Sequence, residues 1–239
     1  MKTYKYKINE ENSIEINLLD SVFYPTGTSE EIIKAVSKNI IQPGKLLDLG
    51  CGAGLVGIAL SLMGKARGTL YASDLSEDAS NLMYENAVNL DIPIVSRYGS
   101  VFEPWTGEKF DYIVDDISGI SEKISDISPW FKNTSCISGE DGADLTIEVI
   151  KKSHQHLNDN GMLFFPILSL SNSEKIIDYA RHMFNNVKMI SRQQWRIPDE
   201  LLEHTSLLFE LREKGYINFE EKYGWLLFST EVYSANSAK

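Results

Sequence analysis

The sequence is poor in everything that would staple, span or tether it. Only two cysteines, Cys51 and Cys136, occur in 239 residues, too few for a disulfide framework. With His154, His156, His182 and His204 they fall into no metal-ligand spacing, so no metal is expected. No apolar run approaches the roughly 18 residues that a membrane span needs. The opening MKTYKYKINEEN carries no apolar signal region. A cytoplasmic location without membrane contact is therefore expected. Basic residues are scarce: 23 Lys and Arg against 34 Asp and Glu leave a net charge of −11. Such a balance offers no bulk attraction for a phosphate backbone and argues against a nucleic-acid partner. Repeats, low-complexity tracts and long Gly/Ser/Pro linkers are missing too. What remains is a chain with 43% hydrophobic residues, long enough for one full core.

The pattern along the chain predicts how that core is laid out. Residues 3–8 and 13–18 alternate apolar and polar around Glu10-Glu11-Asn12 and read as a hairpin. Thr28 or Ser29 would cap a helix over 30–39, completing a lead-in over 1–40. From there to residue 239 strands and helices alternate: KLLDLG, a helix over 54–64, TLYASD, a helix over 77–89, IVSRYG, FDYIVDD, a helix over 142–157 and GMLFFPIL. Such alternation predicts an α/β, doubly wound, mostly parallel sheet with helices on both faces. After Ser171 come a helix (NSEKIIDYARHMF), a strand (NVKMISRQQW), a helix with Pro198 in its first turn and a final strand (YGWLLFSTEVYSA). The stretch 198–222 is long for a connection, which suggests a substrate-covering insertion.

The first strand runs into glycines: LLDLGCGAGLVGIAL holds Gly50, Gly52 and Gly54 before a helix. Glycines let a ligand lie against bare backbone, and a helix start offers free N–H donors. Gly52 to Gly57 also matches the dinucleotide pattern G-x-G-x-x-G, so NAD is one candidate. Two carboxylates favour another. Asp48 lies inside the strand, and Asp74 ends the next strand, where it could accept both hydroxyls of a ribose or simply cap the following helix. Gly57 reads as a helix-to-sheet packing residue.

Acid-x-Gly-x-Gly-x-Gly followed by an acid at the end of strand two resembles the class I S-adenosylmethionine methyltransferases, over about residues 44–168. The resemblance implies a Rossmann-like, seven-stranded sheet with an antiparallel last strand. It also implies S-adenosylmethionine as cofactor, held by Asp48, Gly50, Gly52, Gly54 and Asp74, with Ser100 and Val101 around the adenine. Many members have Asp where this chain has Ser100. SVFEPWTGEKFDYIVDDISG, the later SGEDGADLTIEVIKKSHQHLNDNGMLFF and the lead-in FYPTGTSEE are similar in layout to the release-factor glutamine N5-methyltransferases and their small-domain cousins. That group carries Asn-Pro-Pro-Tyr at the end of strand four. Here Asp116 falls on the Asn, Ile117 and Ser118 replace the prolines, and Gly119 replaces the Tyr.

Methyl transfer is an in-line displacement, so the protein must align a nucleophile and, where needed, take its proton. Adjacent strand residues point to opposite faces, so only one of Asp115 and Asp116 faces the cofactor, and register with the family selects Asp116. Asp116 is the candidate catalytic residue, orienting or deprotonating an amine or hydroxyl; alternatively it binds the cofactor's ammonium while Asp115 caps a loop. Trp130 and Phe131 could wall a substrate pocket or pack against the insertion. Tyr24 and Trp195 are similar cases, and His204 reads as a non-catalytic surface or core residue. The functional expectation is methyl transfer to an O or N nucleophile of a small molecule. A protein methyltransferase, a non-catalytic cofactor-binding partner and, remotely, a dinucleotide oxidoreductase are the alternatives.

Overall fold

A computed structural model describes residues 2–117, 119–132, 134 and 136–239. Strands β1 (Lys2–Lys7) and β2 (Ser13–Leu18) form an antiparallel hairpin. Its Tyr6, Ile14, Ile16 and Leu18 enter the same core as the helices that follow, so the lead-in is continuous with the main body. Helix α1 (Gly27–Asn39) starts one turn earlier than its sequence suggests, because the Thr26 hydroxyl accepts the Thr28 N–H and serves as the cap. Ser29 is thereby freed for another role.

The main sheet begins with β3 (Leu46–Leu49), α2 (Leu55–Leu62), β4 (Leu70–Asp74), α3 (Glu77–Asn89), β5 (Ile94–Tyr98) and β6 (Phe110–Asp115). It continues with α4 (Glu122–Ser125), α5 (Asp144–His156), β7 (Leu157–Leu168), α6 (Ser173–Met183) and β8 (Phe184–Arg196). Helices α7 (Asp199–Leu202) and α8 (Thr205–Glu213), β9 (Glu220–Lys222) and β10 (Trp225–Ala238) end the chain. The sheet order is β5-β4-β3-β6-β7-β10-β8, with β9 added beside β10 as an eighth strand. β3 to β7 pair in parallel, and β10 runs antiparallel to both β7 and β8.

Strand alternation supplies the two faces. In β3, Leu46 joins the core shared with α1, α2 and α3, while Leu47 and Leu49 join the core shared with α5 and α6. A third core lies around Ile120, Ile124, Leu168 and Phe228. The insertion contributes Leu201, Leu208 and Leu211 to it. The single helix expected over this stretch is two helices, broken at His204. His204, Thr205 and Ser206 are weak helix formers, and the Thr205 hydroxyl closes the turn by donating to the Leu202 carbonyl. His204 is exposed.

Candidate functional site

All parallel strands end on one side of the sheet, and the chain leaves β3 toward β4 on one flank and toward β6 on the other. This switch in direction opens a crevice beyond the carboxyl ends of the strands. A cavity of about 580 Å³ occupies it, lined by Gly50, Gly52, Asp74, Ser100, Val101 and Asp116 among others. The segment 21–25 carries Ser21, Val22, Phe23 and Pro25 into the lining.

Each side chain is set by local chemistry. Gly50 and Gly52 have φ of +75° and +49°, the left-handed region that glycine enters without strain. A Cβ on Gly50 would lie 2.5 Å from Ile117 Cγ1. Asp74 ends β4 with Oδ1 accepting the Ser76 N–H (2.8 Å) and Oδ2 the Gly52 N–H (2.9 Å), which ties the glycine loop to the next strand. Helix α3 is capped by Ser76, whose hydroxyl accepts the Ala79 N–H, so Asp74 is not its cap. Beyond β5 the chain turns sharply and holds Val101 at φ +46°, an unfavourable conformation for a β-branched residue. Val101 thus lines the cavity at a cost in local strain.

Asp48 and Gly54 stand behind these residues and do not line the cavity. Asp48 is fully buried, and its Oδ2 accepts the Gly57 N–H at 2.9 Å, capping α2 from beneath. Gly57 is glycine because a Cβ there would lie 2.7 Å from that oxygen. Gly54, at φ +92°, is the N-cap of α2, and a Cβ would collide with Met83 Sδ.

The two aspartates that end β6 part as strand geometry requires. Asp115 is fully buried, with Oδ1 accepting the Ile117 N–H at 3.0 Å, and it closes the turn after the strand. Asp116 is half-buried at the cavity, and the Ser29 hydroxyl of α1 donates to its Oδ2 at 2.9 Å. Burial is the first cause that raises all four carboxyls. It lifts Asp48 to about 7 and Asp115 to about 8, Asp74 above its ordinary range and Asp116 well above it. The carboxylates also raise one another: Asp48, Asp115 and Asp74 all act on Asp116.

A second cavity of about 260 Å³ adjoins the first. Phe23, Asp116 and Phe131 line both, so Asp116 stands where they meet. Trp130, Trp195 and Phe228 wall the second cavity, with Pro198 at the start of the insertion. Trp195 is locked by its Nε1–H donating to Thr230 Oγ1 (3.0 Å) and by contact with Gly27. Phe23 and Phe131 pack with ring centroids 5.0 Å apart. Ser29, Phe23 and the segment 21–25 did not stand out as site residues in the sequence. Ser29 reaches Asp116 across 87 positions, and no local pattern signals such a contact. Tyr24 lines neither cavity and bonds Asp20. Ser118, at one of the replaced prolines, lies outside the described residues.

Residues 26–116 match the family model of the methyltransferase small domain. The chain is 30% identical over 154 residues to the release factor glutamine methyltransferase of Aquifex aeolicus, covering 61% of this chain and 54% of that one. It is 27% identical over 171 residues to the ribosomal protein L11 methyltransferase of Caldanaerobacter subterraneus, covering 70% and 52%. The chain thus spans about half the length of the curated relatives it matches. Among solved structures, a 16S rRNA N2 methyltransferase of T. thermophilus superposes with a TM-score of 0.64 at 12% identity, covering 99% of this chain and 50% of that one, a likeness of fold.

The residues lining the 580 Å³ cavity fit S-adenosylmethionine. A paired carboxylate at the end of β4 can accept hydroxyls, and glycine backbone lets a ligand approach closely. Leu75, 62% exposed beside Asp74, offers an apolar surface to a flat base.

Proposed function

We propose that this chain transfers a methyl group from S-adenosylmethionine to an oxygen or nitrogen nucleophile of a small molecule. The observation that carries the reading is the meeting of two cavities at Asp116, one floored by glycine backbone and the other walled by aromatic side chains of this same chain. Relatives named for release-factor and L11 methylation support the methyl-transfer part.

When bound, the cofactor supplies an electrophilic methyl group on a sulfonium. Gly50 and Gly52 floor its site, Asp74 accepts ribose hydroxyls, and Ser100 and Val101 border the adenine. Asp48 and Gly54 act indirectly by fixing the loop and the start of α2. Asp116, held by Ser29, orients the acceptor and, once ionised, takes its proton. Pro198 brings the 198–222 insertion to the rim of the acceptor cavity, which supports its role as a cover.

A protein acceptor is the second reading, favoured by the same relatives' names; the aromatic cavity would then receive a side chain. The Asn-Pro-Pro-Tyr turn that the glutamine enzymes place here is replaced by Asp116, Ile117, Ser118 and Gly119. A cofactor-binding protein without turnover is a third.

The test is calorimetric titration with S-adenosylmethionine, S-adenosylhomocysteine and NAD, followed by labelled S-adenosylmethionine with a cell extract. We expect both adenosyl compounds to bind and NAD not to. Asp74→Ala should weaken binding at least tenfold, and Asp116→Asn should spare it. Label should enter the small-molecule fraction. Label in a protein band would favour the second reading, and binding without any label transfer the third. Binding of NAD alone would refute methyl transfer.

A further inference from the structure

We propose that the acceptor is an amine carried on a flat apolar body of one or two rings, its nitrogen seated at Asp116 and its rings among Phe23, Trp130, Phe131, Trp195 and Phe228. This rests on the methyl-transfer reading and narrows its acceptor from any O or N nucleophile to one class. Three observations converge on it.

The first is shape. About 260 Å³ lies below the usual range of about 300–1,000 Å³ for drug-sized ligands, so the body is small. The walls are rings on four separate segments, and Trp195 is immobilised by Thr230 and Gly27 rather than free to collapse inward. Thr230 is itself bonded to the Thr28 hydroxyl at 3.0 Å. Preorganised aromatic walls select flat apolar bodies, and their faces also favour a cation.

The second is charge. The groups whose fields act on Asp116 are Asp48, Asp74 and Asp115, every one an acid. Among the described residues lining the aromatic cavity the cationic side chain is Arg196, and it is already engaged. Its guanidinium bonds Asp199 at 2.8 Å and lies 3.7 Å over the Trp225 ring. An ammonium entering the cavity can form an ion pair with Asp116, whereas a neutral hydroxyl or amide can only hydrogen-bond to it. Burial holds the Asp116 carboxyl well above its ordinary range, and an adjacent ammonium would draw it back toward the ionised form.

The third is position. Asp116 lines both cavities, and one oxygen is fixed by Ser29. An amine held there loses one proton to the Asp116 carboxylate. Its lone pair then forms the N–C bond while the C–S bond of S-adenosylmethionine breaks, leaving the electron pair on sulfur. The methylated nitrogen departs as an ammonium, and the proton on Asp116 passes to solvent, one proton released per transfer.

The test is calorimetry on the full chain saturated with S-adenosylhomocysteine, titrated with tryptamine and with its neutral isostere tryptophol. Tryptamine should bind at least tenfold more tightly. Asp116→Asn, which keeps the Ser29 bond, should abolish that preference, whereas Trp195→Ala should weaken both probes alike. The wild-type comparison needs no variant to fold. Equal affinity for the two probes would overturn the proposal while leaving methyl transfer intact. So would tight binding of a lysine- or glutamine-bearing peptide with neither probe bound. Failure of S-adenosylhomocysteine itself to bind would overturn the methyl-transfer reading and the proposal with it.

Discussion

Asp115→Asn should convert a pH-sensitive protein into a less sensitive one. The Asp115 carboxyl is fully buried, Oδ1 takes the Ile117 N–H, and Oδ2 has no hydrogen-bond partner within the protein. Burial raises it from 3.8 to about 8. An acid raised in the folded state keeps its proton to higher pH than in the unfolded chain. Its contribution is therefore fully present below about pH 4 and is lost as pH climbs to about 8. Between pH 5.5 and 8, about 2.5 units at 1.36 kcal/mol each, the wild type loses about 3 kcal/mol through this group. Asn does not titrate, and its own Oδ1 can take the Ile117 N–H. The variant should be within about 1 kcal/mol of wild type at pH 5.5 and about 2–3 kcal/mol more stable at pH 8.5, about 4–12 °C in Tm for a chain of this size. Urea titrations at the two pH values measure the difference. His156, whose buried ring is held below its ordinary value, destabilises the fold at low pH, but it does so equally in both proteins and cancels. The same pH slope in variant and wild type would refute the assignment of a buried, proton-holding Asp115.

Three further outcomes follow from contacts in the fold. Gly57→Ala places a Cβ 2.7 Å from Asp48 Oδ2 and should cost about 1–3 kcal/mol in a denaturation midpoint, with the glycine loop loosened as α2 shifts. Trp105→Phe removes the indole N–H that donates to Ser73 Oγ at 2.8 Å inside the core; a loss of about 1–3 kcal/mol is expected by urea titration. Gly27→Ala places a Cβ 2.6 Å from Trp195 Cη2 and should weaken tryptamine binding severalfold while S-adenosylhomocysteine affinity, measured by the same calorimetry, stays within twofold.

Much of the sheet was readable because period and punctuation are local. The helix over 77–89 is Glu77–Asn89 in the structure, since Ser76 caps it and Glu77 and Asp78 favour its first turn. The N-terminal hairpin was also legible, whereas the antiparallel last strand was implied by the family resemblance. The insertion was not resolved into two helices, because apolar spacing does not show where a weak stretch such as His204-Thr205-Ser206 breaks. At the site, Gly50, Gly52, Asp74, Ser100, Val101 and Asp116 converge on one cavity, the glycines and aspartates announced by the ends of β3, β4 and β6, Ser100 and Val101 by the family resemblance. Asp48 and Gly54 were grouped with them by the motif alone, and the fold sets them behind the wall as supports for α2.

The sequence by itself determined the order of strands and helices, the glycine turn, and the separation of Asp115 from Asp116 onto opposite faces, because each follows from backbone conformation over a few residues. Only the tertiary structure decided that Ser29 would hold Asp116, that Phe23 and Phe131 would meet above it, and that Trp195 and Phe228 would complete an aromatic cavity there. These partners lie far apart in the chain, and what joins them is the packing of α1, the loop after β6 and the last two long strands around one crevice.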